Sequence, residues 1–492
     1  MRPVLNPAEM GEADRRTIAS GTPVEVLMQR AGRAVAWTVR REMGGTYGRR
    51  VVAVCGKGNN GGDGLVAARA LRAWGVRVGV FTLDRGVDRQ LCERALLRAD
   101  AAVDAMFGTG FRGALEGDAA WVARAFDAVL GPCVAVDIPS GVNGHTGAVV
   151  GEAVHASHTV TFSALKPGLL FQPGATHAGE VEVAEIGIDL GEPAAFVPEP
   201  LDVVLELPDR APDAHKWLSG ALVVGGSGGM TGAPSMVSHA AMRAGAGIVW
   251  CGVPGPDAAA RASGTEVISK ALPATADGVL DEPAAAEVLK AADRFRVLVM
   301  GPGLGRGDRT AAAVRRIVAE APIPLVLDAD GLNALAGDLG PLRARAAPSV
   351  LTPHAGEYVH LAGEKVGDDR IAAACRLAER ARAIVLLKGP GEVIAESGQS
   401  GAALTSARTG RAAINATGGP WLASGGTGDV LSGVIGGFVA RGADPFWAAA
   451  GGALVHGRAA DLAGHTGLVA GDLIQALPAA IRTLASLESL EE

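Results

Sequence analysis

Short apolar runs rich in β-branched residues recur along this chain, each followed by a glycine-bearing turn and a stretch of helical length and composition. VVAVC (51–55), VRVGVF (76–81), AAVDAM (101–106) and CVAVDI (133–138) lie in the first part; ALVVGG (221–226), VLVMGP (297–302), PLVLDAD (324–330) and AIVLLKG (383–389) lie in the second. Strands apolar throughout are buried on both faces, and their alternation with helices selects parallel pairing through helical crossovers. The spacing predicts an α/β fold. In open sheets of this kind ligands bind outside the carboxyl ends of the strands. The turns GKGNNGGDG, GTG, DIPSG, GGSGG, GPGLG, DADG and KGPG are therefore where function is sought.

At 492 residues the chain exceeds what one core usually supports, so two large domains are expected. The Pro- and Gly-rich GEPAAFVPEP (191–200) is the best boundary, giving domains 1–197 and 198–492 with no repeat period relating them. A net charge of -7 argues against a general nucleic-acid binder. Cys55, Cys92, Cys133, Cys251 and Cys375 are scattered with no C-x-x-C pair, which fits a reducing compartment and gives no zinc or disulfide framework. The opening MRPVLNPAEMGEADRR is charged and lacks an apolar h-region, so no signal peptide is expected. No apolar run reaches the roughly 20 residues of a membrane span. A cytoplasmic protein without membrane or nucleic-acid partners is the expectation.

In the first domain Gly56, Gly58 and Gly61 satisfy G-x-G-x-x-G, a dinucleotide fingerprint that a tight βα turn meets equally well. Asp84, after the second run, stands about where an acid would meet a ribose. Asp63 in the same loop is poor company for a pyrophosphate, and two later turns add polar groups. Asp104 ends one run ahead of Gly108-Thr109-Gly110, while Asp137 and Ser140 end the next. Each acid alone reads as a turn or capping residue. Together, Asn60, Asp104 and Ser140 are hard oxygen donors on neighbouring turns, suited to a hard cation better than to zinc or copper.

GKGNNGGDGLVAARAL, DAMFGTG, DIPSGVNG and TFSALKPGLLFQPG together resemble the NAD(P)H-hydrate epimerase family over nearly all of residues 1–190. The resemblance implies a Rossmann-like three-layer αβα domain that interconverts the R and S epimers at C6 of the hydrated nicotinamide ring. It implies nucleotide contacts from Asn59, Asn60, Gly61, Gly62 and Asp63, and from Gly108, Thr109, Gly110, Phe111, Arg112 and Gly113. Asp137 would contact the nucleotide and move the proton, and Asn60, Asp104 and Ser140 would hold K⁺. Lys166, in the K-P-G turn, reads either as a partner for the nucleotide's charge or as a surface lysine. Between VRVGVFTL and AAVDAM the chain is shorter than the family norm, which leaves the adenine-side contacts open and weakens any role for Asp84.

The second domain carries SGGTGDVLSG (424–433). Its glycines free backbone N–H groups at an expected helix N-terminus, an anion hole for a phosphoryl group, with Asp429 just inside the helix as a base for a substrate hydroxyl. The plainer reading is a glycine-rich helix start capped by Thr427 or Asp429. The motif resembles the ribokinase-like superfamily. With ALVVGGSGGMTGAPSMVSHAAMRAGAGIV, VLVMGPGLGR, PLVLDADGLNAL, LTPHAGEY and VLLKGPGEVIA it is similar to the ADP-dependent NAD(P)H-hydrate dehydratase family over residues 205–480. That resemblance implies a ribokinase-like αβα domain in which Ala233, Gly303, His354 and Asp429 contact the hydrated nucleotide, with Asp429 catalytic. It implies ADP binding by Lys388, Gly389, Pro390, Gly391, Glu392 and Gly428, Mg²⁺ as the accompanying ion, and a homo-oligomer. Trp217 stands where the family reads the glycine of H-K-G.

The family reading is metabolite repair by a bifunctional enzyme, an isomerase and a lyase in one chain. A ribokinase-like small-molecule kinase with a fused nucleotide-sensing domain competes with it, as does a first domain that only binds nucleotides. The kinase predicts an accumulating phosphorylated product, whereas repair predicts regained absorbance of the reduced nicotinamide.

Overall fold

The computed structural model describes residues 1–262, 266–398 and 410–485. Backbone contacts divide the chain into two compact units, Arg2–Ala195 and Phe196–Glu492, the latter counted with Met1.

In the first unit a six-stranded, wholly parallel sheet runs in the order Arg77–Thr82, Arg50–Cys55, Ala101–Ala105, Cys133–Val136, His158–Phe162, Glu180–Ala184. Alternation along one strand feeds two cores. Val51, Ala53 and Cys55 pack under the helices Val24–Glu42 and Asn59–Ala73, while Val52 and Val54 pack under Arg89–Leu96 and Gly117–Phe126. The first strand, Arg50–Cys55, is flanked by Arg77–Thr82 on one side and Ala101–Ala105 on the other. The crossovers therefore leave in opposite directions at its carboxyl end and open a crevice there.

GKGNNGGDG is helix from Asn59 onward, so most of the expected loop is the first turn and a half of Asn59–Ala73. Its glycines serve close packing. A Cβ on Gly61 would be driven into the Gly56 carbonyl, and one on Gly56 into the Met106 carbonyl. The short segment before Ala101–Ala105 holds only a 3₁₀ turn, Leu83–Arg85, and the helix Arg89–Leu96; Asp84 is exposed on that turn.

The second unit is built on a larger sheet. Ile268–Leu272, Ile248–Pro254, Gly220–Val224, Val297–Met300, Leu325–Leu327, Ser349–Leu351 and Ile384–Leu387 pair in parallel in that order, and Glu392–Ala395 and Ala412–Asn415 continue it antiparallel. The helices Gly232–Arg243, Thr427–Arg441, Pro445–Ala463 and Ala470–Thr483 cover one face through Val299, Val326, Val350 and Leu386. Leu298, Met300, Leu327 and Val385, of the opposite parity, are equally buried. The arrangement is the ribokinase-like αβα sandwich. Here too the first strand, Gly220–Val224, has later strands on both sides, Ile248–Pro254 and Val297–Met300, and marks the switch point.

Candidate active sites

In the first unit a cavity of about 950 Å³ opens at that switch point, lined by Asn59, Asn60, Asp63, Asp137, Lys166 and the Gly108–Arg112 loop. Gly61, Gly62 and Gly113 do not line it: Gly61 and Gly62 face Gly56 and Met28, and Gly113 is exposed with φ +84.

Asp137 is held in a left-handed conformation, φ 68, which a non-glycine residue adopts only when its surroundings enforce it. Its N–H donates to the Val160 carbonyl at 2.8 Å, and its carboxylate accepts from the Thr109 N–H and the Thr161 hydroxyl, both at 3.2 Å. Lys166 Nζ lies 2.9 Å from Asp137 Oδ1 and also donates to Thr161 Oγ1 and the Phe162 carbonyl. At 1% exposure Lys166 is no surface lysine. Asp63 sits in the same wall; burial first, then the charges of Asp137 and Asp14, push its carboxyl up to about 8. Asp14, from the helix Pro7–Ala19, also lines the cavity and carries no motif that would have singled it out.

Asp104 and Ser140 bond to each other beside this wall, and Asn60 lines the cavity itself. The Ser140 N–H and hydroxyl donate to Asp104 Oδ2 and Oδ1, each at 2.7 Å, and Ser140 Oγ accepts from the Phe107 N–H at 2.9 Å. Asp104 is fully buried, which raises its carboxyl to about 6 against the lowering effect of those bonds. Neither polar atom of the buried Asn60 amide has a hydrogen-bond partner among the described residues. A Cβ on Gly108 would stand 3.2 Å from both Asn60 Oδ1 and Asp137 Oδ2, so the glycine lets the two groups share one space.

In the second unit Lys388, at the end of Ile384–Leu387, is the hub. Its ammonium lies 2.7 Å from Asp328 Oδ1 and 3.9 Å from Glu357 Oε2. Burial works against that charge, but the two carboxylates outweigh it and raise the lysine's pKa. Asp328 Oδ2 accepts from Ser432 on the helix Thr427–Arg441 at 2.7 Å. Asp429, one turn earlier on that helix, is pushed up to about 6 by burial, with Asp328 adding and Lys388 opposing. Gly428 leaves room for the lysine: a Cβ there would stand 3.5 Å from Nζ.

Neither Thr427 nor Asp429 caps this helix. The N-cap is Gly426 at φ 90, without a side-chain cap, and Thr427 Oγ1 bonds back to the Leu422 and Ser424 carbonyls. The Thr427 N–H donates to the Ser424 carbonyl at 3.4 Å, and no side chain caps the N–H groups that follow it. His456 lies beneath, its Nε2 2.9 Å from the Thr427 carbonyl, and burial pushes its pKa down to about 4.

His354 is the N-cap of the helix Ala355–Ala362, its Nδ1 accepting from the Gly356 and Glu357 N–H groups while Glu357 returns to the His354 N–H. At Gly303 (φ +70) a Cβ would lie 3.4 Å from the Ala233 methyl, so these two meet at the switch point. Gly389 and Gly391 have φ +130 and +67, and Arg370 holds the carbonyls of Lys388 and Gly391. Glu392 accepts from Asn415 at 3.0 Å. Asp328, Glu357, Ser432 and His456 were not singled out from sequence. Ser432 carried a signal, three residues after Asp429 and so on the same helix face, and Asp328 another, as the strand-end acid of the DADG turn.

The family model for NAD(P)H-hydrate dehydratase matches residues 221–482, and that for the YjeF-related protein N-terminus matches 24–101 and 86–168. The bifunctional NAD(P)H-hydrate repair enzyme of Moorella thermoacetica is 39% identical over 98% of this chain and 97% of its own length. The chain belongs to the bifunctional NAD(P)H-hydrate repair enzymes. It carries the epimerase domain and the ribokinase-like dehydratase domain of that family in one polypeptide. The repair enzyme of Salinibacter ruber is 40% identical over 97% of this chain and 95% of its own. Among solved structures, the ADP/ATP-dependent NAD(P)H-hydrate dehydratase of Bacillus subtilis, co-crystallised with ATP and Mg²⁺, is 29% identical, covers 58% of this chain and 99% of that one, and has a TM-score of 0.48. The two stretches matched by the N-terminal model overlap at residues 86–101, where this repair enzyme has its short helix Arg89–Leu96. No helix among its described residues is long and apolar enough to cross a membrane.

Proposed function

We propose that the cavity of the first unit epimerises hydrated NADH and NADPH at C6 and that the second unit dehydrates the S epimer at the expense of ADP. The observation that carries this reading is common to both units: a carboxylate near the carboxyl ends of the sheet strands (Asp137, Asp429) with a buried lysine beside it (Lys166, Lys388). Carboxylates beside Lys388 favour its charged form, and an interior ammonium can balance a nucleotide's phosphates or a developing oxyanion.

In the first unit Asp137 takes or gives the proton of the epimerisation, and Lys166 with Thr161 holds its carboxylate at the cavity wall. Asn60, Asp104 and Ser140 fit K⁺, a hard monovalent cation matched to oxygen donors. Such an ion supplies positive charge beside the anionic substrate.

In the second unit Asp429 accepts the proton of the C6 hydroxyl as its oxygen bonds to the β-phosphorus of ADP, and the bond to the bridging oxygen breaks to release AMP. The ring nitrogen's lone pair then expels phosphate from C6, and loss of a proton from C5 forms the C5=C6 double bond of the reduced nicotinamide. Phosphate leaves far more readily than hydroxide, which is why a nucleotide is consumed. The open N-terminus of Thr427–Arg441 and Lys388 receive the phosphoryl charge. No cluster of three or more His, Cys, Asp or Glu able to hold a metal occurs among the described residues, so Mg²⁺ would be carried chiefly by the diphosphate, where it neutralises charge. The same reading has the protein act in the cytoplasm as a homo-oligomer on small-molecule nucleotides.

The test is purified protein with mixed hydrate epimers and ADP, ATP or neither. Complete recovery of reduced-nicotinamide absorbance with ADP is expected. Recovery of one epimer only removes the first unit's activity from the reading, and a phosphorylated product that accumulates replaces the reading with the kinase.

A further inference from the structure

The turn Pro420–Leu422 leads into the anion-binding helix, and its tryptophan is stacked on a histidine. The Trp421 and His465 rings lie 3.6 Å apart between centroids at 15°, nearly face to face. Two rings of such different size prefer an offset or edge contact to full overlap. The indole N–H of Trp421 is buried and has no acceptor among the described residues. Gly419 sits flush under the indole, since a Cβ there would be driven into its six-membered ring. Trp421 thus has a fixed floor, an unmet donor and a single stacking partner.

That partner is weakly tethered. His465 is 54% exposed, its Nε2 stands 3.6 Å from Asp461, and residues 461–467 are all exposed. Gly464 and Gly467, at φ +91 and +76, flank it on a connection that begins where the helix Pro445–Ala463 ends. The place of Trp421 is also specific. In the chain Trp421 lies between Asn415, whose side chain donates to Glu392, and Gly428, beside the Lys388 ammonium, two parts of the ADP site proposed above.

We propose that Trp421 is the nucleobase platform of that ADP site and that His465 holds the place of the base until the nucleotide arrives. The inference rests on the ADP reading of the second unit. A purine covers an indole more fully than an imidazole does. Stacking of a base on an aromatic side chain contributes about 1–3 kcal/mol, or roughly five- to 150-fold in affinity.

The experiment is calorimetric titration of the full-length protein with ADP and with inorganic pyrophosphate, which has the anion but no base. Trp421→Ala should weaken ADP by about tenfold or more while leaving pyrophosphate unaltered, and Trp421→Phe should recover most of the loss. His465→Ala should tighten ADP about two- to fivefold, because no ring has to be displaced. Unchanged ADP affinity in Trp421→Ala, or equal weakening of ADP and pyrophosphate, overturns the platform. Weaker ADP binding in His465→Ala overturns the placeholder. A wild-type protein that dehydrates its substrate without binding ADP overturns the donor reading and this inference with it, whereas failure of the platform alone leaves wild-type ADP binding intact.

Discussion

The ammonium of Lys166 and the carboxylate of Asp137 form a 2.9 Å ion pair in which the lysine is 1% exposed. A pair so placed is held by geometry: the left-handed turns at Asp137 and Ser163, φ 68 and 57, bring two strand ends together over the cavity. Lys166→Met should lower the rate of epimer interconversion by about 100- to 10,000-fold and leave dehydration of the S epimer at its wild-type rate. Breaking a buried pair also costs about 3–5 kcal/mol, so a melting curve accompanies the assay. A folded Lys166→Met protein that still interconverts the epimers removes the pair from the chemistry.

Asp429 sets the acid limit of the second reaction. Burial holds its carboxyl up at about 6, so the ionised base is lost as pH falls through that value. The dehydration rate should decline below about pH 6, and Asp429→Asn should cost roughly 100- to 10,000-fold at neutral pH while epimerisation persists. A rate that stays level down to pH 5, measured with saturating ADP and substrate, contradicts the role.

Potassium should stabilise the first unit through Asn60. A cation at about 100 times its Kd adds roughly 2.7 kcal/mol to stability. Differential scanning fluorimetry should show a rise in Tm with K⁺ for the wild type, a smaller one with Li⁺, and none for Asn60→Ala. Equal shifts in wild type and variant would refute the site.

His456 supplies a pH dependence of stability with a definite sign. Its folded pKa of about 4 lies below the ordinary 6.5 because burial disfavours the charged ring. The unfolded chain therefore binds the proton first, and the stability contributed above pH 6.5 is lost as pH falls from there towards 4. His456→Gln should flatten the decline of the urea midpoint across that window; an unaltered slope would show that other groups dominate it.

Much of this was legible before the coordinates. Continuous apolar runs announced parallel sheets, because a strand buried on both faces has no polar side to show, and VVAVC is buried at every position. Asp104, Ser140, Asp137 and Asp429 could be named because each follows or starts an element whose end is readable. Lys166 could not be decided, since its burial depends on a turn at Ser163 that places it back over Thr161. Asp14 and His456 escaped for a similar reason: each reaches its site from an element distant in the chain, and nothing in its neighbours encodes the meeting.

The glycines of GKGNNGGDG set how near a helix may lie to a strand and a neighbouring turn, as the blocked positions at Gly56 and Gly61 make plain. Glycine spacing in this stretch is thus a record of backbone clearance, and the letters between, Asn59, Asn60 and Asp63, line the cavity. A library that keeps the glycines and randomises Asn59, Asn60 and Asp63 would leave the scaffold seated while changing what the crevice accepts. Classifiers trained on the glycines alone would group such variants together whatever they came to bind.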